Sequence, residues 1–517
     1  MRVLISSLVL DLSGTPTYTL TLYNELIRRG HDVAVYSPKG GALSKQMNTV
    51  DSLSGMPKPD FIITQMNVCA DEMREAFPDV PMVFCAHGVT PETERPPRVE
   101  VQHYIAINED GVENLAMHGV DLNKIIIVRD FVDTDRFRPT RPPNDEVKYV
   151  LFVSNYKKWR SHATVAEACK KLGLELKCCG ASYGRCHEIE REMNWADLVI
   201  GSGRVILEAM ACGRPVISFN CANEQRGDGY LTPDVYMESR TRNFAQHNCR
   251  YVFDADGLAK EIQKYDPTDG IVNRHLTMMH HDHGLGVDKL LSVLGIGEPS
   301  RHTVSALDYI VDRFKLDANA RKVPVQIPDF GRNELTKLFA ELDFRIGVEL
   351  GVEEGLYTEI LCRNNPQAQI YGIDCWQSYP GYRDHVSQEK LDGFYEGTRK
   401  RLVPYGNYKL IRKFSKEALG DFEDESLDFI YLDGNHTLPF IINDLIEWSR
   451  KVRVGGIVSG HDYRKSKRMI TDNHVVCAVQ CYTRSYRIRP WFVLGRREKI
   501  EGEIRDSSRS WMWVKAR

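Results

Sequence analysis

Ala196-Asp-Leu-Val-Ile-Gly-Ser-Gly-Arg-Val-Ile-Leu-Glu-Ala-Met-Ala-Cys-Gly-Arg-Pro-Val-Ile217 is the stretch from which the fold is read. An apolar run ends in a Gly-Ser-Gly turn, a helix-forming run follows, and Gly213-Arg-Pro215 stops the helix before a second apolar run. Strand, helix and strand at this spacing form a parallel β-α-β unit. Just upstream, Lys148 to Val153 and Leu174 to Cys179 read as further strands of the same sheet, and 275–294 reads as its closing helices. The charged, Pro-rich segment Arg138 to Val147 reads as a linker. Before it, strands are expected over Arg2 to Ser6, Asp32 to Tyr36, Phe61 to Thr64, Met82 to Cys85, Tyr104 to Ile107 and Lys124 to Val128, with a helix from Pro16 to Arg29 closed by Gly30. That rhythm is a second parallel sheet covered by helices.

The pattern lapses between Gly295 and Gly331, apart from an amphipathic stretch near Ala306 to Phe314, and then returns. Phe344-Arg-Ile-Gly-Val-Glu-Leu-Gly-Val-Glu-Glu-Gly-Leu-Tyr-Thr358 is again a strand, a Gly-containing turn and a helix start. A chain of 517 residues exceeds one core, and the expected division is 1–140, 148–295, a connector at 296–330, and 331–517. The fold class is α/β throughout.

A net charge of −3 provides no global attraction to nucleic acid or anionic membrane, so no nucleic-acid partner is expected. The 13 cysteines form no CxxC pair and read as reduced thiols. The opening residues form a strand rather than a signal peptide, and no apolar run approaches the roughly 20 residues that span a bilayer. The expected location is cytoplasmic.

The chemistry lies in the turns. Gly201 and Gly203 let backbone amides approach a diphosphate at a helix N-terminus, and Glu208 offers a carboxylate to ribose hydroxyls. The whole stretch 196–217 resembles the donor-binding signature of family 4 glycosyltransferases, which implies a GT-B pair of Rossmann-like domains, a nucleotide-sugar donor and retention of configuration. The chain departs from the family at Ile200, where the pattern has a second Glu. The loop Asp11-Leu-Ser-Gly-Thr-Pro-Thr-Tyr18 resembles the family's opening, which places Gly14 and the hydroxyls of Ser13, Thr15 and Thr17 toward donor phosphates and acceptor. Val83-Phe-Cys-Ala-His-Gly88 puts His87 where the family carries an active-site histidine. Asp130-Phe131 stands where the family has Asn-Gly. The departing diphosphate needs cations, for which Lys158, Lys157 or Arg160, and Arg204 are the candidates. His280-His-Asp-His283 lacks a recognised zinc spacing.

In the last third, Glu349, Gly351 and Gly355 shape the first turn and Asp374 ends the next strand. Ser426-Leu-Asp-Phe-Ile-Tyr-Leu-Asp-Gly-Asn-His436 and Val452-Arg-Val-Gly-Gly-Ile-Val-Ser-Gly-His-Asp-Tyr463 follow in order. Together these resemble class I methyltransferases of the group sharing Asp-Gly-x-His and Gly-His-Asp-Tyr signatures. The resemblance implies S-adenosylmethionine as cofactor, held by the first turn and by Asp374, with Ser415 near the adenine. His436, then His461, are the candidate bases for an acceptor hydroxyl. Asp433 and Asp462 end neighbouring strands and could share one Mg²⁺ or orient the two histidines. Trp376 and Tyr379 either cover the cofactor or belong to the core.

The combined expectation is a bifunctional enzyme of glycan synthesis, with a glycan or small-molecule acceptor and a tether that raises the local concentration of any shared intermediate. The alternatives are modification of nucleic-acid bases, or a methyltransferase carrying a degenerate glycan-binding GT-B module.

Overall fold

Continuous apolar triplets such as Val3–Ile5 and Phe61–Ile63 suit strands buried on both faces, and in the first unit they make a seven-stranded, wholly parallel sheet. Its order is Thr49–Val50, Asp32–Tyr36, Arg2–Ser6, Phe61–Thr64, Met82–Ala86, His103–Ala106, Ile125–Ile127. The order reverses between Arg2–Ser6 and Phe61–Thr64, so the turn before the helix Gly14–Arg28 lies at the switch point, where doubly wound sheets bind ligands. The computed structural model describes residues 1–89, 92–155, 159–180, 183–184, 186, 188–219, 225–244, 251–296, 304–317, 322–379, 387–464, 473–495, 500, 503–504, 506 and 508–516. The chain divides into two compact units, Met1–Val304 and Ser305–Arg517. Among the described residues no helix is long and apolar enough to cross a membrane.

A second sheet completes the first unit: Gly229–Tyr230, Val216–Ser218, Leu198–Gly201, Tyr149–Val153, Glu175–Cys179, with Gly229–Tyr230 antiparallel and the rest parallel. Here too the Gly-rich turn after Leu198–Gly201 lies at the switch point. The linker is pinned rather than loose. The Asp197 carboxylate accepts from the backbone N–H groups of Asn144, Lys148 and Tyr149 and from the Arg141 guanidinium.

The helix His283–Val293 departs from expectation. Read from sequence as closing the second sheet, it packs Val287, Leu290 and Leu291 into the core of the first, beside Val3, Ile5 and Leu26. Arg29 holds it there, pairing with Asp288 and donating to the Gly284 carbonyl at 2.9 Å. The chain therefore crosses back, and residues distant in sequence share one core.

The second unit is an eight-stranded sheet in the order Val325–Pro328, Phe492–Gly495, Ser510–Val514, Val452–Gly460, Leu427–Leu432, Ile346–Leu350, Gln369–Asp374, Tyr408–Arg412. Ser510–Val514 runs antiparallel to both neighbours and the other pairings are parallel. The edge strand Val325–Pro328 and the helix Ala306–Arg313 belong to this unit, although the sequence reads them as connector. The strand orders show the expected α/β class: two largely parallel, Rossmann-like sheets in the first unit and a third in the second.

The crossing helix yields a prediction. Leu290→Ala removes a wholly buried side chain and should cost about 2–5 kcal/mol. Denaturant unfolding should show the loss in the first unit's transition alone.

Candidate functional site

In the second unit the carboxyl ends of the strands surround a cavity of about 410 Å³. Its floor is the turn after Ile346–Leu350. Gly351 takes a φ of +87°, and a Cβ there would lie 2.3 Å from the Asp433 carbonyl oxygen, so only glycine lets the turn pass the neighbouring strand's end. Gly355 caps the helix Leu356–Asn364 in the left-handed region. Asp374, at the end of Gln369–Asp374, accepts from the backbone N–H groups of Val352 and Glu353, each at 3.0 Å, and of Trp376 at 2.9 Å. It thus ties the first turn to the second strand, with its carboxylate on the cavity wall.

Glu349 is buried, accepts from the Thr358 hydroxyl, and is pushed by burial up to about 8, so it is protonated near neutral pH. Ser415 donates to Asp444, whose carboxyl is raised to about 6 by burial, and accepts from the Trp448 indole N–H at 3.1 Å. Of the two aromatics singled out in sequence, Trp376 is core, packed with Val352 and Leu391. Tyr379 lines the cavity with Phe414 and Phe440, its hydroxyl accepting from Asn435 at 3.0 Å.

Asp433, His436, His461 and Asp462, two residues from each of two adjacent strand ends, meet on the opposite wall. His436 Nε2 lies 3.5 Å from Asp433 Oδ1 and 3.2 Å from Asp462 Oδ2, yet makes no aligned hydrogen bond. His461 Nδ1 lies 3.5 Å from Asp433 and 3.6 Å from Asp462, and its Nε2 3.6 Å from the half-buried Asp506. Burial opposes the charge on His461, but Asp433 and the other carboxylates outweigh it and raise the imidazole to about 11. Burial would lift Asp433, yet the two imidazoles hold its carboxyl well below the usual range. His436 is also raised, burial notwithstanding, by the facing carboxylates of Asp433 and Asp462. His461 is thus a fixed cation, poorly suited to be the base, and His436 is the more exposed of the two at 23%. Asp433, His436 and Asp462 offer ligand atoms that all lie within 4.8 Å of one another, and the unaligned, buried Nε2 fits a set able to close on a divalent cation. Sequence reasoning missed Arg332 and Asp506. Arg332 lines the cavity 3.5 Å from Asp433, and its backbone N–H donates to Asp506. No turn or motif marks either residue.

In the first unit Arg204 is placed differently from expectation. Four of its five N–H groups are engaged: Nε with Glu208 at 3.0 Å, Nη1 with Asp130 Oδ1 and the Phe131 carbonyl at 2.8 Å each, and Nη2 with Thr21 at 3.1 Å. The buried guanidinium therefore spans the first helix, the linker approach and its own helix Arg204–Ala211 rather than facing an open cleft. Glu208 is the partner of that cation, though burial raises its carboxyl. Ile200 lies wholly in the apolar core and supplies nothing polar.

His87 follows Met82–Ala86, with its ring edge-on to Tyr18 at 4.5 Å and its backbone N–H donating to Glu94 at 2.7 Å. Burial pushes the imidazole down to about 4, so it is neutral at neutral pH, with Nε2 lacking a hydrogen-bond partner among the described residues. Phe131, noted from sequence as a departure from the Asn-Gly of the resembled family, packs on Tyr18 at 4.4 Å. Gly14 begins its helix and Gly203 caps Arg204–Ala211, both with open space where a Cβ would lie. Lys157 and Lys158 lie outside the described residues, as does the Arg160 side chain. In the His280–His283 run, His281 donates to the Asp130 carbonyl at 2.6 Å and His283 accepts from the Thr134 N–H at 3.3 Å. Asp133, near His283, caps a turn by accepting from the N–H groups of Asp135 and Arg136.

Residues 348–463 match the family model of a methyltransferase domain. An uncharacterized protein of Sinorhizobium fredii (strain NBRC 101917 / NGR234), y4gI, is 26% identical over 125 residues, covering 22% of this chain; the chain spans 13% of that protein's length. Among solved structures, Anabaena HepE in complex with UDP aligns at 15% identity over 57% of this chain and 100% of its own, with a TM-score of 0.41. TomG of Streptomyces achromogenes, an O-methyltransferase of tomaymycin synthesis in complex with SAM, aligns at 17% identity over 45% of this chain and 97% of its own, with a TM-score of 0.27.

Glu349 sets a pH dependence. Between its ordinary 4.5 and about 8 the folded unit keeps a proton that the unfolded chain has lost, so stability falls as pH rises through that window, by up to ~1.4 kcal/mol per unit. Glu349→Gln should flatten this slope, and melting temperatures of the two proteins at pH 5.5 and pH 8 check it.

Proposed function

We propose that the second unit transfers a methyl group from S-adenosylmethionine to a hydroxyl of a sugar or glycan, and that the first unit transfers a sugar from a nucleotide-sugar donor with retention. The assignment takes 1–140 as the acceptor side, 148–295 as the donor side, 296–330 as connector and 331–517 as methyltransferase. The observation that carries the methyltransferase reading is the convergence on one cavity of the Gly351 turn, the Asp374 carboxylate and the Asp433–His436–Asp462 group. The match of residues 348–463 to a methyltransferase domain supports it.

The residues fit the cofactor. Around the tight Gly351 turn stand a strand-end carboxylate suited to ribose hydroxyls and the aromatic rings of Tyr379, Phe414 and Phe440, with Ser415 and Asp444 as polar partners for an adenine edge. Bound there, S-adenosylmethionine supplies an electrophilic methyl. The chain's part is to hold the acceptor hydroxyl in line and take its proton. His436 receives that proton, and Asp433 and Asp462, already within 3.5 Å, stabilise the imidazolium. His461, kept charged among three carboxylates, fixes their positions. Asp433 and Asp462 would hold a divalent cation such as Mg²⁺ together with acceptor hydroxyls, leaving His436 to take the proton.

A second reading keeps the first unit as a glycan-binding module without turnover. The Arg204 pairing of Glu208 and the apolar Ile200 favour it. Turnover of any nucleotide sugar that is lost in Glu208→Ala would eliminate this reading.

Two outcomes test the methyltransferase reading by calorimetry and methyl-transfer assay of the full chain. Asp374→Ala should weaken S-adenosylmethionine binding at least about tenfold, whereas His436→Ala should leave binding within about twofold and slow methyl transfer by about 10²–10⁴-fold. Unchanged turnover in His436→Ala would remove this residue as the base.

A further inference from the structure

The second unit holds another cavity, of about 700 Å³, that shares no lining residue with the first. It lies between the segment Lys322–Pro324, the helix Val475–Ser485 and the segment Arg487–Trp491. Trp491 and Thr483 are buried in its floor, and Ile488, Val323 and Pro324 are half-buried. Lys322, Arg484, Arg487 and Arg489 stand exposed around it, and no Asp or Glu lines it. Among the described residues none of these four cations has an ion pair or a side-chain hydrogen bond.

Four cations with no partner among the described residues around one concavity are unusual in a chain whose net charge is −3, because like charges repel and nearby carboxylates ordinarily accompany them. Three are guanidiniums, whose planar forks match phosphoryl oxygens two at a time. A single carboxylate would use one such fork, whereas a diphosphate uses several. The apolar floor suits an uncharged ring, and the volume is that of a small-molecule site.

We propose that this pocket binds the diphosphate of a small molecule such as a sugar diphosphate or nucleoside diphosphate. Tyr463 ties the pocket to the first cavity. Its hydroxyl accepts from Gln480 Nε2 at 3.0 Å, its ring lies 5.6 Å from that of Trp491, and it follows Asp462 in the chain. The proposal concerns binding and stands whether or not the neighbouring cavity transfers methyl groups.

The test is arginine footprinting and calorimetry of the full chain with inorganic pyrophosphate as the probe. Pyrophosphate should protect Arg484, Arg487 and Arg489 from phenylglyoxal while leaving the exposed Arg399 equally labelled. The double variant Arg484→Glu/Arg487→Glu, changed only at exposed positions, should keep its melting temperature and bind pyrophosphate at least tenfold more weakly. Binding should also weaken as salt rises. Absence of protection at all three arginines, or pyrophosphate affinity within twofold of the parent in the double variant, would overturn the proposal.

Discussion

The buried Arg204 guanidinium is the constraint on which the first unit depends. It sits 8% exposed, too deep to stay charged without partners, and it finds them in Thr21, Asp130, the Phe131 carbonyl and Glu208. Those groups come from the first helix, the approach to the linker and the helix Arg204–Ala211. Removing one carboxylate would leave a buried charge uncompensated, the costly way to break such a pair. The network therefore couples the helix Arg204–Ala211 to the registration of the two sheets, reinforced by the helix that crosses back onto the first core.

A comparable economy of charge organises the second unit. Asp433, Asp462 and Asp506 surround His461, and His436 completes the group from the neighbouring strand end. Trp511 supports it from below, donating its indole N–H to the His461 carbonyl at 3.1 Å. Gly460 makes room, because a Cβ there would lie 2.4 Å from that indole ring. The antiparallel strand Ser510–Val514 thus does more than extend the sheet: it positions the backbone that carries His461 and Asp462.

Much of this was legible in sequence. The apolar runs, the Gly-containing turns and the strand-end carboxylates predicted the parallel sheets, and Gly351, Asp374, Ser415, Asp433, His436, His461 and Asp462 all line one cavity. Arg332 and Asp506 were not legible, since each reaches the group from a segment far along the chain from the strand ends it meets. The short edge strands Thr49–Val50 and Gly229–Tyr230 are two residues long and carry too few side chains to show a period.

The sequence by itself determined which residues become strands and which turns stay open at their ends, because local sterics and apolar periodicity act over neighbouring residues. Only the tertiary structure decided the partners of the charged groups. Arg204 reads as a free cation in a Gly-rich turn and proves to be a clamp. The helix His283–Val293 reads as part of one core and belongs to another. Pairing of charges and docking of a helix depend on residues brought together from far along the chain, and no local pattern records that distance.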